Sequence, residues 1–203
     1  MKIRLGELEL ARSDPSEYLR LQGPEINHAR NMTHARVLQG AVLDFHRNGT
    51  LESASAYLSE MYFRHFGNER KYEELVEKLD LYATAYADSG MTNLKVRDHM
   101  VFALNSDLII TGQVPSIELT PDGGYAAMFF LSNPSDSWFE ELRFALVQYH
   151  YAKSFGVSLD EVVVGMYGFK SGSYEFVQSP KASVAAALRE TVMVAKKIER
   201  LAR

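Results

Sequence analysis

Three carboxylates, Asp107, Glu118 and Asp122, could supply oxygen ligands to a hard metal ion. The first begins a predicted strand, the second lies near the end of that strand, and the third lies in the turn that follows. Mg²⁺ prefers oxygen ligands, and a bound Mg²⁺ can polarise a phosphate and activate a water molecule. Each of the three residues is more typical of a solvated turn or strand end, so a metal site built from them is the alternative interpretation.

Other common catalytic groups are absent from the sequence or lack the necessary spacing. The chain has no cysteine, which excludes disulfides, thiolate zinc sites, iron–sulfur clusters and cysteine nucleophiles. No pair with ligand spacing occurs among His28, His46, His65, His99 and His150. The sequence also has no P-loop, no dinucleotide-binding fingerprint and no Gly-x-Ser-x-Gly elbow.

Length and composition predict one globular domain over residues 1–203. The chain is 46% apolar and 24% charged, which is enough to bury one sizeable core. No apolar run reaches the roughly 18 residues that a membrane helix needs, and the N-terminus carries acids where a signal peptide would be apolar. We therefore expect a cytosolic protein with no membrane partner.

Basic residues gather near the C-terminus, at Lys181, Arg189, Lys196, Lys197, Arg200 and Arg203. Concentrated on one face, such residues could neutralise the phosphates of a nucleic acid. They are also typical of a solvated helix face, where cations stabilise the helix C-terminus. The net charge of −4 favours the second interpretation over a surface built for duplex DNA. Nucleic-acid binding by Lys181, Arg189, Lys196 and Lys197 stays the alternative.

Helical spacing of apolar side chains predicts an N-terminal helical lobe over residues 1–90. The predicted helices span 13–22, 34–45, 51–66 and 69–88. Asp14 and Thr50 are the expected N-caps of the first and third helices, and Pro15 occupies the first helical position. Gly23-Pro24 should end the first helix, and Asn48-Gly49 should end the second.

After Gly90 the composition predicts a sheet core over residues 91–203. Strands are expected at 94–104, 107–119, 124–132 and 161–169, with a hairpin strand at 173–177. Helices are expected at 136–155, capped by the Asn133–Asp136 turn, and at 180–202, capped by Ser179. The resulting fold class is α/β (α+β), with a mixed central sheet of about five strands flanked by helices. Pro115 has no N–H to donate, so it should mark a bulge, an edge or the end of pairing.

Residues 123–132 (GGYAAMFFLS) carry no ionisable side chain apart from Tyr125. Both alternating faces of this segment are apolar, as expected of a strand that is covered on both sides.

This order of elements resembles the RecB-like branch of the PD-(D/E)XK nuclease superfamily, which includes CRISPR-associated exonucleases, over most of the chain. SDPSEYLRLQG and THARVLQGAVLDF occupy the places of its first two helices, and Thr111–Pro115 (TGQVP) that of its Gly-x-x-Asp segment. The later strand, helix and strand of the family are similar in position and length to YAAMFFLS, ELRFALVQYHYAKSFG and EVVVGMYGF. The resemblance implies Mg²⁺ held by an aspartate on one strand and by an acid two residues before a lysine on the next.

The sequence departs from that pattern at each position. The aspartate position falls on Pro115, and the acid and lysine positions fall near Met128 and Phe130. A register shift of one or two residues still finds no acid or lysine in 123–132. His34 corresponds to the histidine that some family members add as a metal ligand, although a partly exposed helix histidine is the more common case.

Three hypotheses follow from the resemblance and the charge. The first is a catalytically inactive nuclease fold with no cofactor, kept as a binding or structural module for DNA or a protein partner in a recombination, defence or mobile-element (phage) system. The second is an active Mg²⁺ nuclease with relocated carboxylates, drawn from Asp107, Glu118, Asp122 and Glu140 or Glu141. The third is a protein-only adaptor, which the negative net charge favours.

Overall fold

The computed structural model describes residues 1–22 and 32–202, and these form a mixed sheet with helices on both faces. The α-helices of the described residues are α1 Leu8–Ser13, α2 Pro15–Leu21, α3 His34–Asn48, α4 Leu51–His65, α5 Glu69–Ser89, α6 Leu142–Phe155 and α7 Lys181–Leu201. The strands are β1 Lys2–Arg4, β2 Thr92–Ala103, β3 Ile109–Leu119, β4 Tyr125–Leu131, β5 Val162–Gly168 and β6 Ser173–Val177. Gly23-Pro24, His28 and Arg203 lie outside the described residues.

The sheet confirms the predicted mixed topology. β2, β3 and β4 form an antiparallel meander, β5 runs parallel to β4, and β6 pairs back on β5 as a hairpin. β1 pairs with β3 in parallel, beside residues 109–111. The sequence did not predict β1, because three residues are too few to show an alternating pattern.

β4 is covered on both faces, as its uncharged sequence predicts. Ala127 and Phe129 belong to a core shared with α6 and α7. Ala126, Met128 and Phe130 point the other way, into a core shared with α3, α4 and α5. The alternation follows from the two-residue period of a strand.

The helices before residue 90 contribute to both faces of the sheet. Residues of α1 and α2, including Leu8 and Tyr18, lie in the same core as α6 and α7. The buried residues of α3, α4 and α5 form the core on the opposite face. We call α3–α5 the helical layer.

Several predicted helix ends are confirmed by their capping geometry. The Asp14 side chain accepts a hydrogen bond from the Glu17 N–H at the start of α2, and Thr50 does the same for α4 through Ser53. α3 ends at Gly49, whose φ of 74° suits a residue without a Cβ.

The start of α6 was predicted wrongly. The helix begins at Leu142, and residues 138–140 form a separate 3₁₀ turn. Glu141 precedes the first turn without a side-chain cap, and the Leu142 N–H instead donates to Oε1 of Glu9 at 2.6 Å. Because the cap comes from α1, no capping residue close in sequence to residue 142 predicts where this helix begins.

The predicted cap of α7 was also wrong. Pro180 precedes the helix without any side-chain capping bond. The Ser179 N–H donates to Oε1 of Gln148, so this residue is held by α6.

Pro115 interrupts the pairing of β3, as predicted. In the β2–β3 ladder, Val96 pairs with Ser116 and Asp98 with Val114, and the intervening Arg97 has a φ of 56°. A positive φ is uncommon for a residue with a Cβ. On its other edge, β3 pairs with β4 only from Ser116 onward.

Within residues 1–22 and 32–202, none of the helices is both long and apolar enough to cross a membrane.

Candidate functional site

A buried polar cluster lies between the sheet and the helical layer. Ser116 and Glu118 of β3 stand opposite Met128 and Ala126 of β4, so all four side chains share one face of the sheet. Ser116 is fully buried and Glu118 is 1% exposed. Burial of a carboxylate is costly unless it is hydrogen-bonded, so the partners of Glu118 decide what this cluster can do.

Both oxygens of Glu118 accept hydrogen bonds from neighbouring side chains. Tyr86 Oη of α5 donates to Oε2 at 3.0 Å, and Asn93 Nδ2 of β2 donates to Oε1 at 2.9 Å. Ser116 Oγ also donates to Oε1. Desolvation raises the pKa of Glu118, while the bonds from Ser116, Asn93 and Tyr86 act in the opposite direction. The network joins α5 and β2 to β3.

His46 of α3 completes the cluster from the helical layer. Its Nε2 is hydrogen-bonded with Tyr82 Oη, and its Nδ1 lies 3.9 Å from Oε1 of Glu118. Nδ1 has no hydrogen-bond partner, and the side chain is 1% exposed. Desolvation lowers the pKa of His46 to about 4, so the imidazole is neutral at pH 7.

Aromatic rings enclose these polar groups. The rings of Phe130 and Tyr86 lie 6.2 and 4.6 Å from that of His46, centroid to centroid. Tyr82 packs edge-on against Tyr167 at 4.8 Å, and the Tyr167 hydroxyl is buried without a partner. The Glu118 and His46 side chains therefore lie behind these rings, each only 1% exposed.

The three positions at which the resemblance implies catalytic residues lie in or beside this face of the sheet. Met128 and Phe130 are 1% and 2% exposed, and the Gln39 side chain donates to the Phe130 carbonyl. Pro115 is half-buried in β3. Gly112 of the TGQVP segment has a packing role, because a Cβ there would lie 2.6 Å from Cβ of Leu5.

The structure does not bring Asp107, Glu118 and Asp122 together. Asp107 is exposed in the turn before β3, whereas Glu118 lies near its far end, roughly 30 Å along the strand. Asp122 is exposed in the β3–β4 turn, where its carboxylate accepts a hydrogen bond from Thr120. No group of three or more His, Asp or Glu residues within residues 1–22 and 32–202 has metal-binding geometry.

Glu140 and Glu141 lie next to α6, a helix of the opposite core. Glu141 forms an ion pair with Arg143 at 2.6 Å. The buried residues of α6 pack on the face of the sheet opposite to the one that carries Glu118.

His34 lies at the start of α3 among aromatic rings of the helical layer. Its ring centroid is 4.3 Å from that of Phe66 and 5.7 Å from that of Tyr62. His46, three turns further along α3, is the histidine that reaches the sheet. His46 follows Val42, a buried residue of α3, by four residues, and this helical spacing was the available signal.

The four basic residues proposed for nucleic acid are exposed on α7 but do not share one face. At about 100° per residue, Arg189 and Lys196 lie within roughly 20° of each other around the axis. Lys181 and Lys197 lie about 80° to either side of Arg189, so roughly 160° separates them from each other. Arg189 and Lys196 are therefore the two of these residues that share one side of the helix.

Comparison with known proteins identifies no family for this chain. No family model matches it, and no curated protein sequence does. Among solved structures it is similar to the one described as "Crystal structure of SSO0001", with 11% sequence identity and a TM-score of 0.34. That alignment covers 92% of this chain and 85% of the other. A likeness this distant carries no conclusion about function.

Proposed function

We propose that this protein is a catalytically inactive, nuclease-like module that acts by binding a partner. The observation that carries the proposal is the closed polar cluster around Glu118. The face of the sheet on which the resemblance implies a metal site holds Met128, Phe130 and a fully hydrogen-bonded carboxylate. The setting in DNA recombination, defence or a mobile element rests on the resemblance alone.

A hydrolytic metal site needs oxygen ligands that can leave their protein partners and face the substrate. Glu118 would have to give up hydrogen bonds from Tyr86, Asn93 and Ser116 to bind a cation. Each donor left unsatisfied in the core costs about 1–3 kcal/mol. Metal binding at this carboxylate is therefore disfavoured by the groups that surround it.

Access for a phosphodiester would require the helical layer to separate from the sheet. That movement would expose Tyr82, Met128 and Phe130, each of which is at most 2% exposed. Burial of one large apolar side chain contributes about 1.5–3 kcal/mol, so exposure of three would cost roughly 5 kcal/mol or more. Domains are typically stable by only about 5–15 kcal/mol. The cluster is therefore better suited to holding the helical layer against the sheet than to catalysis.

The test of inactivity is metal-dependent cleavage of labelled single- and double-stranded DNA with Mg²⁺ or Mn²⁺. We expect no cleavage above the metal-only blank, and no heat of Mn²⁺ binding by calorimetry. Asp107→Ala, Glu118→Gln and Asp122→Ala serve as the diagnostic variants. Cleavage that persists through purification and disappears in one of them would establish a relocated-site nuclease instead.

A nucleic-acid partner is tested separately with fluorescent oligonucleotides. Binding through the basic face of α7 should weaken steeply as salt rises, because each phosphate contact releases counterions. Arg189→Glu should weaken it further. Salt-independent binding, or binding unaffected by Arg189→Glu, would remove α7 from consideration as a nucleic-acid surface.

A further inference from the structure

An apolar groove of about 520 Å³ lies where α6 and α7 pass the end of β2. Its wall on the sheet is formed by Phe102 and Leu104, and its other side chains come from the two helices. The larger apolar side chains of the lining are Phe102, Leu104, Tyr149, Leu188, Val192 and Met193. Met193 is 61% exposed, so the apolar lining reaches the surface at this point.

Two cations, Lys153 of α6 and Arg189 of α7, lie in the same lining. Both are exposed, and neither forms an ion pair with a residue that the structure describes. Glu190, next to Arg189 in sequence, pairs with Arg12, and Asp98 pairs with Lys95 and accepts a hydrogen bond from Tyr151. A carboxylate of a partner could therefore pair with Lys153 and Arg189 without displacing an existing ion pair.

The sheet wall of the groove is a strand edge. Among the described strands, β2 pairs with β3 alone, so its outer N–H and C=O groups have no strand partner. The first half of β2 is irregular, with a register shift between Asn93 and Lys95 and a positive φ at Arg97. From His99 to Ala103 the pairing is continuous. The regular part of the edge is thus the part beside the groove.

We infer that this groove binds an extended, acidic segment of a partner protein. The segment adds a strand to β2 beside residues 99–103, places apolar side chains in the groove, and brings a carboxylate to Lys153 and Arg189. Strand addition obtains its affinity from main-chain hydrogen bonds and its specificity from alternate side chains. The inference rests on the proposed function only in that the protein acts by binding.

Charge and shape favour a peptide over a nucleic acid at this position. A nucleic acid needs a row of cations that follows its phosphates, and this groove offers two beside a mainly apolar lining. Of the other exposed cations of α7, Lys196 lies on the same side as Arg189 but outside the groove lining, and Lys181 and Lys197 lie about 80° to either side of Arg189.

Selection of displayed random dodecapeptides on the purified protein tests the inference. We expect enriched peptides that combine apolar residues with Asp or Glu. For the synthesised peptides, the paired substitution Lys153→Glu and Arg189→Glu should raise Kd about tenfold or more, because both rim charges are reversed. Bound peptide should also slow amide hydrogen exchange at residues 99–103.

Lys197→Glu is the matched control, since it reverses an exposed charge on the same helix outside the groove lining. It should change Kd less than about twofold. Any of four results would overturn the inference: no enrichment, enriched peptides without acids, equal binding by the double variant, or unchanged exchange in β2. The inference would also be wrong if a single-stranded oligonucleotide bound in place of the peptide and the double variant lost that binding. Detected DNA cleavage, in contrast, would overturn the proposed inactivity but would not affect the inference about the groove.

Discussion

Nδ1 of His46 lies 3.9 Å from Oε1 of Glu118, and both side chains are 1% exposed. The two residues come from α3 and β3, on opposite sides of the interface between the helical layer and the sheet. Burial disfavours the charged form of each group, lowering the pKa of His46 and raising that of Glu118. Their titration therefore couples the pH of the solution to the packing of this interface.

Acid should destabilise the protein through His46. Its pKa falls from 6.5 to about 4 on folding, so between these values the unfolded chain binds the proton more readily than the folded one. Stability from this group is present above pH 6.5 and decreases as pH falls towards 4. Between pH 7 and pH 5 the loss should be about 2 kcal/mol.

Urea unfolding of wild type and His46→Phe at the two pH values measures that loss. The wild type should lose more stability between pH 7 and pH 5 than the variant, because Phe cannot take up a proton. His65→Phe, at an exposed position of α4, should retain the wild-type pH dependence. An identical pH dependence in wild type and His46→Phe would contradict the burial of an uncharged imidazole.

Glu118 acts in the opposite direction. Its raised pKa means that the folded chain keeps a proton that the unfolded chain has lost, so stability decreases as pH rises from about 4.5 through the folded value. Glu118→Gln removes this dependence and keeps one acceptor oxygen. The stability of Glu118→Gln at pH 7 should lie within about 1 kcal/mol of wild type.

Glu118→Leu should be far more damaging than Glu118→Gln. It would leave the donors of Tyr86, Asn93 and Ser116 without their acceptor, with an expected loss of about 3 kcal/mol or more. The comparison of the two variants by urea unfolding separates loss of the hydrogen bonds from loss of the charge. Equal stability of both variants would mean that the network does not hold the layers together.

Met128→Asp should destabilise the fold by several kcal/mol, since it places a carboxylate in the core of the helical layer. Met128 is 1% exposed, and its Sδ would lie 2.3 Å from a Cβ on Gly165, which shows how closely β4 and β5 pack. Met193→Asp is the matched control, because Met193 is 61% exposed. Thermal unfolding should show a large decrease in Tm for the first variant and little change for the second.

Glu9→Gln should weaken the start of α6, where the Glu9 carboxylate accepts from the Leu142 N–H. Loss of the negative charge at a helix N-terminus should cost about 0.5–1 kcal/mol. Glu9 also pairs with Arg12, which pairs with Glu190 as well, so Arg12→Met removes both ion pairs with the cap left in place. A stability change in Arg12→Met smaller than that in Glu9→Gln would therefore assign the difference to the cap.

The sequence by itself determined the elements whose signals are local. Asp14, Thr50 and Gly49 mark helix ends because a cap acts within three or four residues of its own position. The strands from 92 to 131 followed from composition, alternation and turns, and the interruption at Pro115 followed from its missing N–H. The uncharged β4 likewise predicted its own burial, because both of its alternating faces are apolar.

Only the tertiary structure decided which residues that are distant in sequence come into contact. The sequence placed Glu118 in a strand but could not show that Tyr86, Asn93 and His46 surround it, because these residues lie in three other elements. It likewise could not find the Glu9 cap of α6 or the position of β1, which depend on partners more than 100 residues away in sequence. Residues so far apart meet only when whole layers pack, and that packing is set by the summed burial of many side chains.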